Sequence, residues 1–387
     1  MKRSRLYHGS ILGLLALCSA LSGPAHAQNS AALPVELTAA YISDSFANVS
    51  GGLKKGARVM GKLSVTADVD LSLVGLDGVR FFGDVQYVHG KSLSGDLVGD
   101  AQVVSNIDAP TGVRPMEAYF AFPVGGDERG LIKVGLIDLN VDFDAQSYGA
   151  FFLNSSHGIS PEFSQSGLNG PSIFPTSASA VTFAWRGESW TGRLGLFDAV
   201  AGDPDHPGRT VLRYPGETGL LIVGEVDFDL GGSRELQFGA WHYTSRFERL
   251  EDPTQTGRSS GAYAMAEGVL FSNNEADLGM WIRGGVASDR VNPIGLYLGG
   301  GATFGTESQT VGIAIAHARL GDPAVRAGLT AGQTPRRSET TIELSYAHRL
   351  HDRIMLQPDI QYVINPGWDR TLDNALLGGI RLHLTLF

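Results

Sequence analysis

The sequence predicts an all-β fold, a transmembrane antiparallel β-barrel of about sixteen strands. Three observations predict it. After residue 30 the chain divides into short alternating segments. Their connections run long, then short, then long, as a barrel needs when it threads up and down through a membrane. Within each segment the alternation has period two, which puts apolar residues on one face and polar residues on the other.

The strands are placed at 37–46, 57–68, 79–88, 114–122, 131–138, 178–186, 189–198, 218–229, 234–244, 261–270, 278–287, 294–304, 309–318, 338–348, 353–363 and 376–387. Most are about 9–11 residues long, the length a tilted strand needs to cross the hydrocarbon core. The even-numbered connections are mostly short (187–188, 230–233, 305–308, 349–352) and the odd ones mostly long (139–177, 199–217, 245–260, 319–337). The connection 288–293 is short where a long one belongs. An even strand count returns both termini to the periplasmic side, and the last strand is expected to run to Phe387 itself.

Period two is clearest in four segments. Met280 and Ile282 share one face while Trp281 and Arg283 share the other. Across 341–346 the apolar and polar sets separate fully. Gln357, Asp359 and Gln361 oppose Leu356, Pro358, Ile360 and Tyr362. In the last strand Ile380, Leu382, Leu384 and Leu386 oppose Arg381, His383 and Thr385. In a soluble sandwich the apolar face would be a core; in a barrel it meets lipid. Tyr87, Phe122, Trp185, Trp190, Tyr243, Phe271, Phe304, Tyr346 and Tyr362 gather near strand ends. Girdles at the two interfaces explain that placement, and plain β-propensity explains it too.

Residues 1–27 are expected to be a signal peptide, leaving a barrel domain over 28–387. Lys2, Arg3 and Arg5 form a basic start, an apolar run follows to Leu21, and Ala25-His26-Ala27 is a cleavage site. The apolar run is about half of the roughly 20 residues a spanning helix requires. Leu17 stands before Cys18 where a lipoprotein wants a small residue. Cleavage removes the only cysteine and takes the formal net charge from −10 to −13, which argues against nucleic-acid binding. A hydrophobic fraction of 43% and 51 glycines fit a barrel with one wet face, and fit a soluble β-sandwich pair equally.

Several motifs are specific. The run 151–175 contains Asn154-Ser155-Ser156-His157-Gly158-Ile159-Ser160-Pro161-Glu162-Phe163-Ser164 and then Gly167-Leu168-Asn169-Gly170-Pro171. It resembles the signature loop of the carbohydrate-selective outer-membrane porins, the OprB-like family. Asn48-Val49-Ser50-Gly51-Gly52-Leu53-Lys54-Lys55-Gly56 resembles that family's first loop. Val88-His89-Gly90-Lys91-Ser92-Leu93-Ser94 with Val104-Ser105-Asn106-Ile107 resembles its second loop, and the run 358–367 its penultimate strand and last loop. The likeness runs from about residue 35 to the end. Two positions depart: the family more often has an aromatic at His157, and Phe387 falls in register with Arg381, His383 and Thr385 rather than with the leucines.

The resemblance implies that the third long loop, 139–177, folds into the lumen and narrows it, and that the chain is a channel for carbohydrates. Pro161, Pro171 and Pro175 stiffen this loop, while Phe163 and Phe174 call for burial. A solvated external loop is the plainer alternative. The candidate pore-lining set is Arg80, Asp84, Glu117, Lys133, Asn154, Glu162, Arg193, Trp241, Trp281, Arg283, Glu343 and Asp359. The polar face adds Glu225, Asp227 and Arg381, so both signs are present, whereas a single-sign lining selects ions. Mixed charges pair with sugar hydroxyls, and indole faces pack on sugar rings. Equally, such charges can pair with one another.

Asp138, Asn140, Asp142 and Asp144 are spaced like the start of a calcium loop, but Phe143 and Gly149 stand where a glycine and a glutamate belong. A solvated turn is the reading preferred, and no metal or cofactor is assigned. Ser155, Ser156 and His157 lack the strand–elbow–helix context of a hydrolase. The expectation is passive diffusion of small neutral sugars, monosaccharides such as glucose, with no covalent chemistry. A general or ion-selective porin is the first alternative and an outer-membrane lipid hydrolase the second. The partners expected are outer-membrane lipid and the barrel-assembly machinery acting on the C-terminal strand; monomer and homotrimer both stay open.

Overall fold

A computed structural model describes residues 35–126, 129–206, 209–214, 216–273 and 276–387. The signal-peptide reading of 1–27 lies outside the described residues. Sixteen strands close into one antiparallel barrel. They are β1 (Val35–Ser50), β2 (Gly56–Asp70), β3 (Arg80–Gly90), β4 (Gly112–Val124), β5 (Gly130–Ile137), β6 (Ala178–Arg186), β7 (Trp190–Asp198) and β8 (Leu220–Asp229). The second half is β9 (Arg234–Tyr243), β10 (Ser260–Ser272), β11 (Asp277–Ala287), β12 (Ile294–Gly305), β13 (Gln309–Leu320), β14 (Ser338–His351), β15 (Ile354–Ile364) and β16 (Ala375–Thr385). Each strand pairs with its sequence neighbours, and β1 closes on β16 from Ala40↔Thr385 to Ser50↔Leu376.

Every one of the sixteen expected strands is present, most of them longer than expected by a residue or more. Closure explains the extension, because both edges of each strand find a partner and pairing continues until the chain turns. At the C-terminus the strand stops at Thr385, short of Phe387. The last two residues still touch β1, through Leu386 N–H to Ala39 O and Ala39 N–H to Phe387 O.

The alternation sorts the wall as the pattern demands. Outward stand Ile282, Ile313, Ile315, Leu344 and Ile360, each about half exposed; Arg283, Glu343, Asp359 and Gln361 face inward and are buried. A ring-flat Trp281 on the inner wall needs Gly301 beside it, since a β-carbon there would overlap the indole. Phe122, Trp190, Phe271, Phe304 and Tyr346 lie on the outer surface near the short turns, as an interfacial girdle requires. Tyr243 is a correction: it shares parity with Trp241, faces inward and has no exposed surface. Among the described residues no helix is long and apolar enough to cross a membrane.

Among the described residues, two of the long connections pack extensively against the inner wall. The segment 138–177 does so, and so does 91–111 between β3 and β4. The latter buries Leu93, Leu97, Val98, Val104 and Ile107 against Ile42 and Phe46 of β1 and Leu377 of β16. From sequence it stands only as a likeness to the family's second loop, with no position assigned. Apolar residues at irregular spacing in a connection this long leave nowhere to go but inward.

Candidate functional site

The segment after β5 turns through three very short helices. Asp138 caps the first, Leu139–Asp142, by accepting from Asn140 N–H at 2.9 Å. Asn154 caps the second, Ser155–His157, through Ser156 N–H at 3.0 Å. Pro161 starts the third, Pro161–Ser164, where its missing N–H costs nothing. Between these turns the backbone is irregular, so its N–H groups need acceptors from elsewhere.

The wall supplies them as carboxylates. Glu343 of β14 accepts from Leu153 N–H at 2.6 Å and Asn154 N–H at 3.0 Å. Glu225 of β8 accepts from Asp144 N–H at 2.7 Å, and Glu267 of β10 from Ser147 N–H at 3.0 Å and Tyr148 N–H at 3.2 Å. Donors of the wall meet loop carbonyls in return: Tyr297 Oη reaches Ser156 O at 3.1 Å and Gln357 Nε2 reaches Phe151 O at 2.7 Å. The inner acidic residues therefore serve as a rack for backbone amides.

Arg283 is the centre of this attachment. Its Nε and Nη2 each donate to Asp144 at 2.7 Å, and its Nη1 donates to Glu162 at 2.8 Å. The guanidinium lies 4.9 Å from the Tyr263 ring and 5.6 Å from the Tyr297 ring. It is 1% exposed, and each of its three nitrogens donates to a carboxylate. Burial pushes Asp144 up to about 6, against the opposing pull of Arg283. Lys133 holds Asp142 at 2.8 Å, and Arg193 holds Glu225 at 3.1 Å together with Asp227.

Aromatic packing completes the dock. Phe163 stacks on Trp241 with centroids 5.0 Å apart and also meets Tyr263. Phe152 packs on Trp281 at 5.1 Å, and His157 stands edge-on to the same indole at 5.7 Å. Neither ring nitrogen of the fully buried His157 has a hydrogen-bond partner; Glu343 is 3.8 Å away. Burial alone holds this histidine neutral, its pKa down at about 3.

The structure thus brings together Lys133, Asn154, Glu162, Arg193, Trp241, Trp281, Arg283 and Glu343 as wall and loop residues of one buried interface. Asp359 stands beside Glu343 and accepts from Gln361 Nε2 at 3.1 Å. Glu117 receives Asp138 N–H at 3.4 Å. Asp84 accepts from Gln86 at 2.6 Å on β3, apart from the dock. Arg80 sits away from the others near the turn side, half-exposed and paired with Asp68 at 2.8 Å. The run Asp138 to Asp144 does not form a solvated turn: its carboxylates have separate partners in the N-cap, Lys133 and Arg283.

On the wall opposite, sequence reasoning singled out Asp84 and Glu117 but missed Lys62, Gln86 and Arg114. Lys62 of β2 lies 5.1 Å over the Phe174 ring. Gln86 of β3 pairs in register with Arg114 of β4, and Asp84 with Glu117. Arg114 is buried with Nε and Nη1 unpartnered, as are Asp84 Oδ1 and Gln86 Oε1. Asp138 is pushed up to about 7, first by its own burial, with Lys62 and Asp84 among the charges it feels. A second cluster ties 91–111 down: Arg381 holds Asp44 at 2.7 Å and Asn106 at 2.7 Å, and Glu339 accepts from Ala101 and Gln102 N–H, each at 2.9 Å. Inward parity on the strands was the available clue.

The model of the carbohydrate-selective porin, OprB family, matches residues 54–386. The chain belongs to this family. No curated protein matches it. Among solved structures, the porin is similar to the high-pH structure of Pseudomonas putida OprB, with a TM-score of 0.80 and 17% identity over 91% of this chain and 94% of that one. The low-pH structure of the same protein gives a TM-score of 0.59 at 14% identity, with 91% and 93% covered. The outer membrane channel DcaP of Acinetobacter baumannii gives 0.56 at 8% identity, with 91% and 97% covered. At such identities the likeness is one of fold. The chain is a passive diffusion porin whose family is carbohydrate-selective.

Proposed function

We propose that this porin passes small neutral sugars, monosaccharides such as glucose, between the docked segment 138–177 and the β2–β4 wall. What carries the reading is the set of buried polar atoms on that wall without protein partners: Arg114 Nε and Nη1, Asp84 Oδ1 and Gln86 Oε1. Donors and acceptors lie side by side there, beside an aromatic face on Phe174 with Lys62 above it. A hydroxyl-rich ring can satisfy both kinds, and each contact stays weak enough for release. The twelve residues first singled out divide accordingly. Asp84 and Glu117 belong to the passage wall, and Arg283, Glu162, Glu343, Asn154, Trp241, Trp281, Lys133 and Arg193 position the loop that narrows it. Asp359 supports Glu343, and Arg80 screens the lower lumen.

Several further points belong to the same reading. No covalent chemistry is assigned: Ser155, Ser156 and His157 lie in the docked loop, with both nitrogens of the histidine unpartnered. Residues 1–27 direct export, and the barrel-assembly machinery engages β16 in the outer membrane. A homotrimer is supported by an outward strip of Tyr41, Ser43 and Ser45, where Tyr41 Oη and His89 Nε2 meet at 3.0 Å on the lipid side of the wall. Its mass in detergent tests that assembly.

Planar-bilayer recording tests the substrate. Glucose is expected to block the open-channel current reversibly, and Arg114→Ala or Lys62→Ala to weaken that block in a barrel of unchanged folding. Block that persists in both variants, or current selective for one ion and indifferent to glucose, overturns the reading.

A further inference from the structure

The outer wall changes character at the loop end of β13 and β14. Ile313 and Ile315 of β13, with Ile342 and Leu344 of β14, present an exposed apolar band. One rung further, His317 and Thr340 face each other and share a hydrogen bond of 2.7 Å. The next rung pairs Arg319 with Ser338, and Arg336 comes two positions before that serine. Ser338 and Thr340 face outward, since Glu339 between them points inward to Ala101 and Gln102, and Arg336 lies in the loop just before the strand. Arg319 and Arg336 are both exposed.

Neighbouring cations are already committed. Arg337 pairs with Asp322 at 2.5 Å and Arg326 with Glu251 at 2.5 Å. Among the described residues neither Arg319 nor Arg336 forms an ion pair, with Asp322, Asp289 or any other carboxylate. Two exposed guanidiniums without a salt-bridge partner therefore stand together at the loop end of β13 and β14.

Their height decides what they meet. At about 3.4 Å per residue, Arg319 stands roughly 14 Å along the strand beyond Ile315, above the apolar band and at headgroup depth. In that layer the dense negative groups are lipid phosphates, and guanidinium binds phosphate in a two-pronged, geometry-matched way. We propose that Arg319 and Arg336, with His317 and Thr340 beneath them, form a binding site for the phosphorylated headgroup of an outer-leaflet lipid. The acyl chains run down over Ile315 and Ile342. This rests on the porin standing in the outer membrane with its long loops outward, and it assigns the β13–β14 face a partner that sugar passage does not need.

Retention of lipid A by the purified full-length barrel tests the site, counted per barrel by mass spectrometry. The wild type is expected to hold phosphorylated lipid A, and R319Q/R336Q to lose it by about tenfold or more. R319K/R336K should keep most of it, and Lys55→Gln, one cation removed on another loop, should change nothing. Heat-modifiable gel migration and glucose block in R319Q/R336Q should match the wild type. Equal retention in R319Q/R336Q, or equal retention of dephosphorylated lipid A, overturns the proposal. So does release by millimolar inorganic phosphate, which would mark a plain anion site. Failure of glucose block in the wild type instead strikes the sugar reading and leaves the lipid count standing.

Discussion

The carboxylate of Glu162 fills the space that a β-carbon on Gly285 would need, and from there it reaches Arg283 Nη1 at 2.8 Å. Gly285 is required for close approach, because loop and wall meet without a side chain between them. Gly285→Ala is therefore expected to push Glu162 off Arg283, at a cost of about 1.5–3 kcal/mol for the charged hydrogen bond. The barrel should still fold. Single-channel conductance should rise as the loop loosens, and unchanged conductance would show that the alanine is absorbed elsewhere.

Arg283→Met removes the cation and leaves Asp144 and Glu162 facing each other in a dry site. Breaking a buried pair from one side costs about 3–5 kcal/mol. We expect 138–177 to become a protease target in the folded barrel, where the wild type is cut slowly. The double change Asp144→Asn with Glu162→Gln in the same background should restore part of the protection. Absence of any rescue would count against the charge argument.

Phe163→Ala tests the apolar half of the dock. The ring has no exposed surface and stacks on Trp241 at an interplanar angle of 4°. Its loss should cost about 3–5 kcal/mol of docking stability. Tryptophan emission should shift to the red as Trp241 meets water. An unshifted spectrum would mean that the cavity collapses without releasing the loop.

His157 makes the docked loop sensitive to acid. Its folded pKa of about 3 lies below the ordinary histidine value of 6.5, so the undocked form binds the proton more tightly. The sign follows: docking is at full strength above pH 6.5 and weakens as pH falls towards 3, by an amount on the order of a few kcal/mol at the bottom of that window. His157→Phe should remove this part of the dependence while keeping the packing on Phe152 and Trp281. Hydrogen exchange of 138–177, measured from pH 7 to pH 4, checks it. Identical profiles for variant and wild type would sink the assignment.

The amino-acid pattern settled the barrel almost strand by strand, because a sheet with one face in lipid must keep strict alternation. Met280, Trp281, Ile282 and Arg283 announce their faces without reference to anything distant. The same parity placed Tyr243 inward, and reading it as a girdle residue ignored its neighbour Trp241. Which inward residues would work together was a different matter. Arg283 and Asp144 are 139 positions apart, and Leu153 N–H finds Glu343 at a separation of 190. Sequence spacing carries no information about such meetings. Closure of the barrel decides them, since it fixes which walls face each other across the lumen. Tertiary structure likewise turned the segment 91–111 inward and left Lys62, Gln86 and Arg114 as the polar wall opposite the docked loop. Local chemistry chose the face of every strand residue; only the closed cylinder chose its partner.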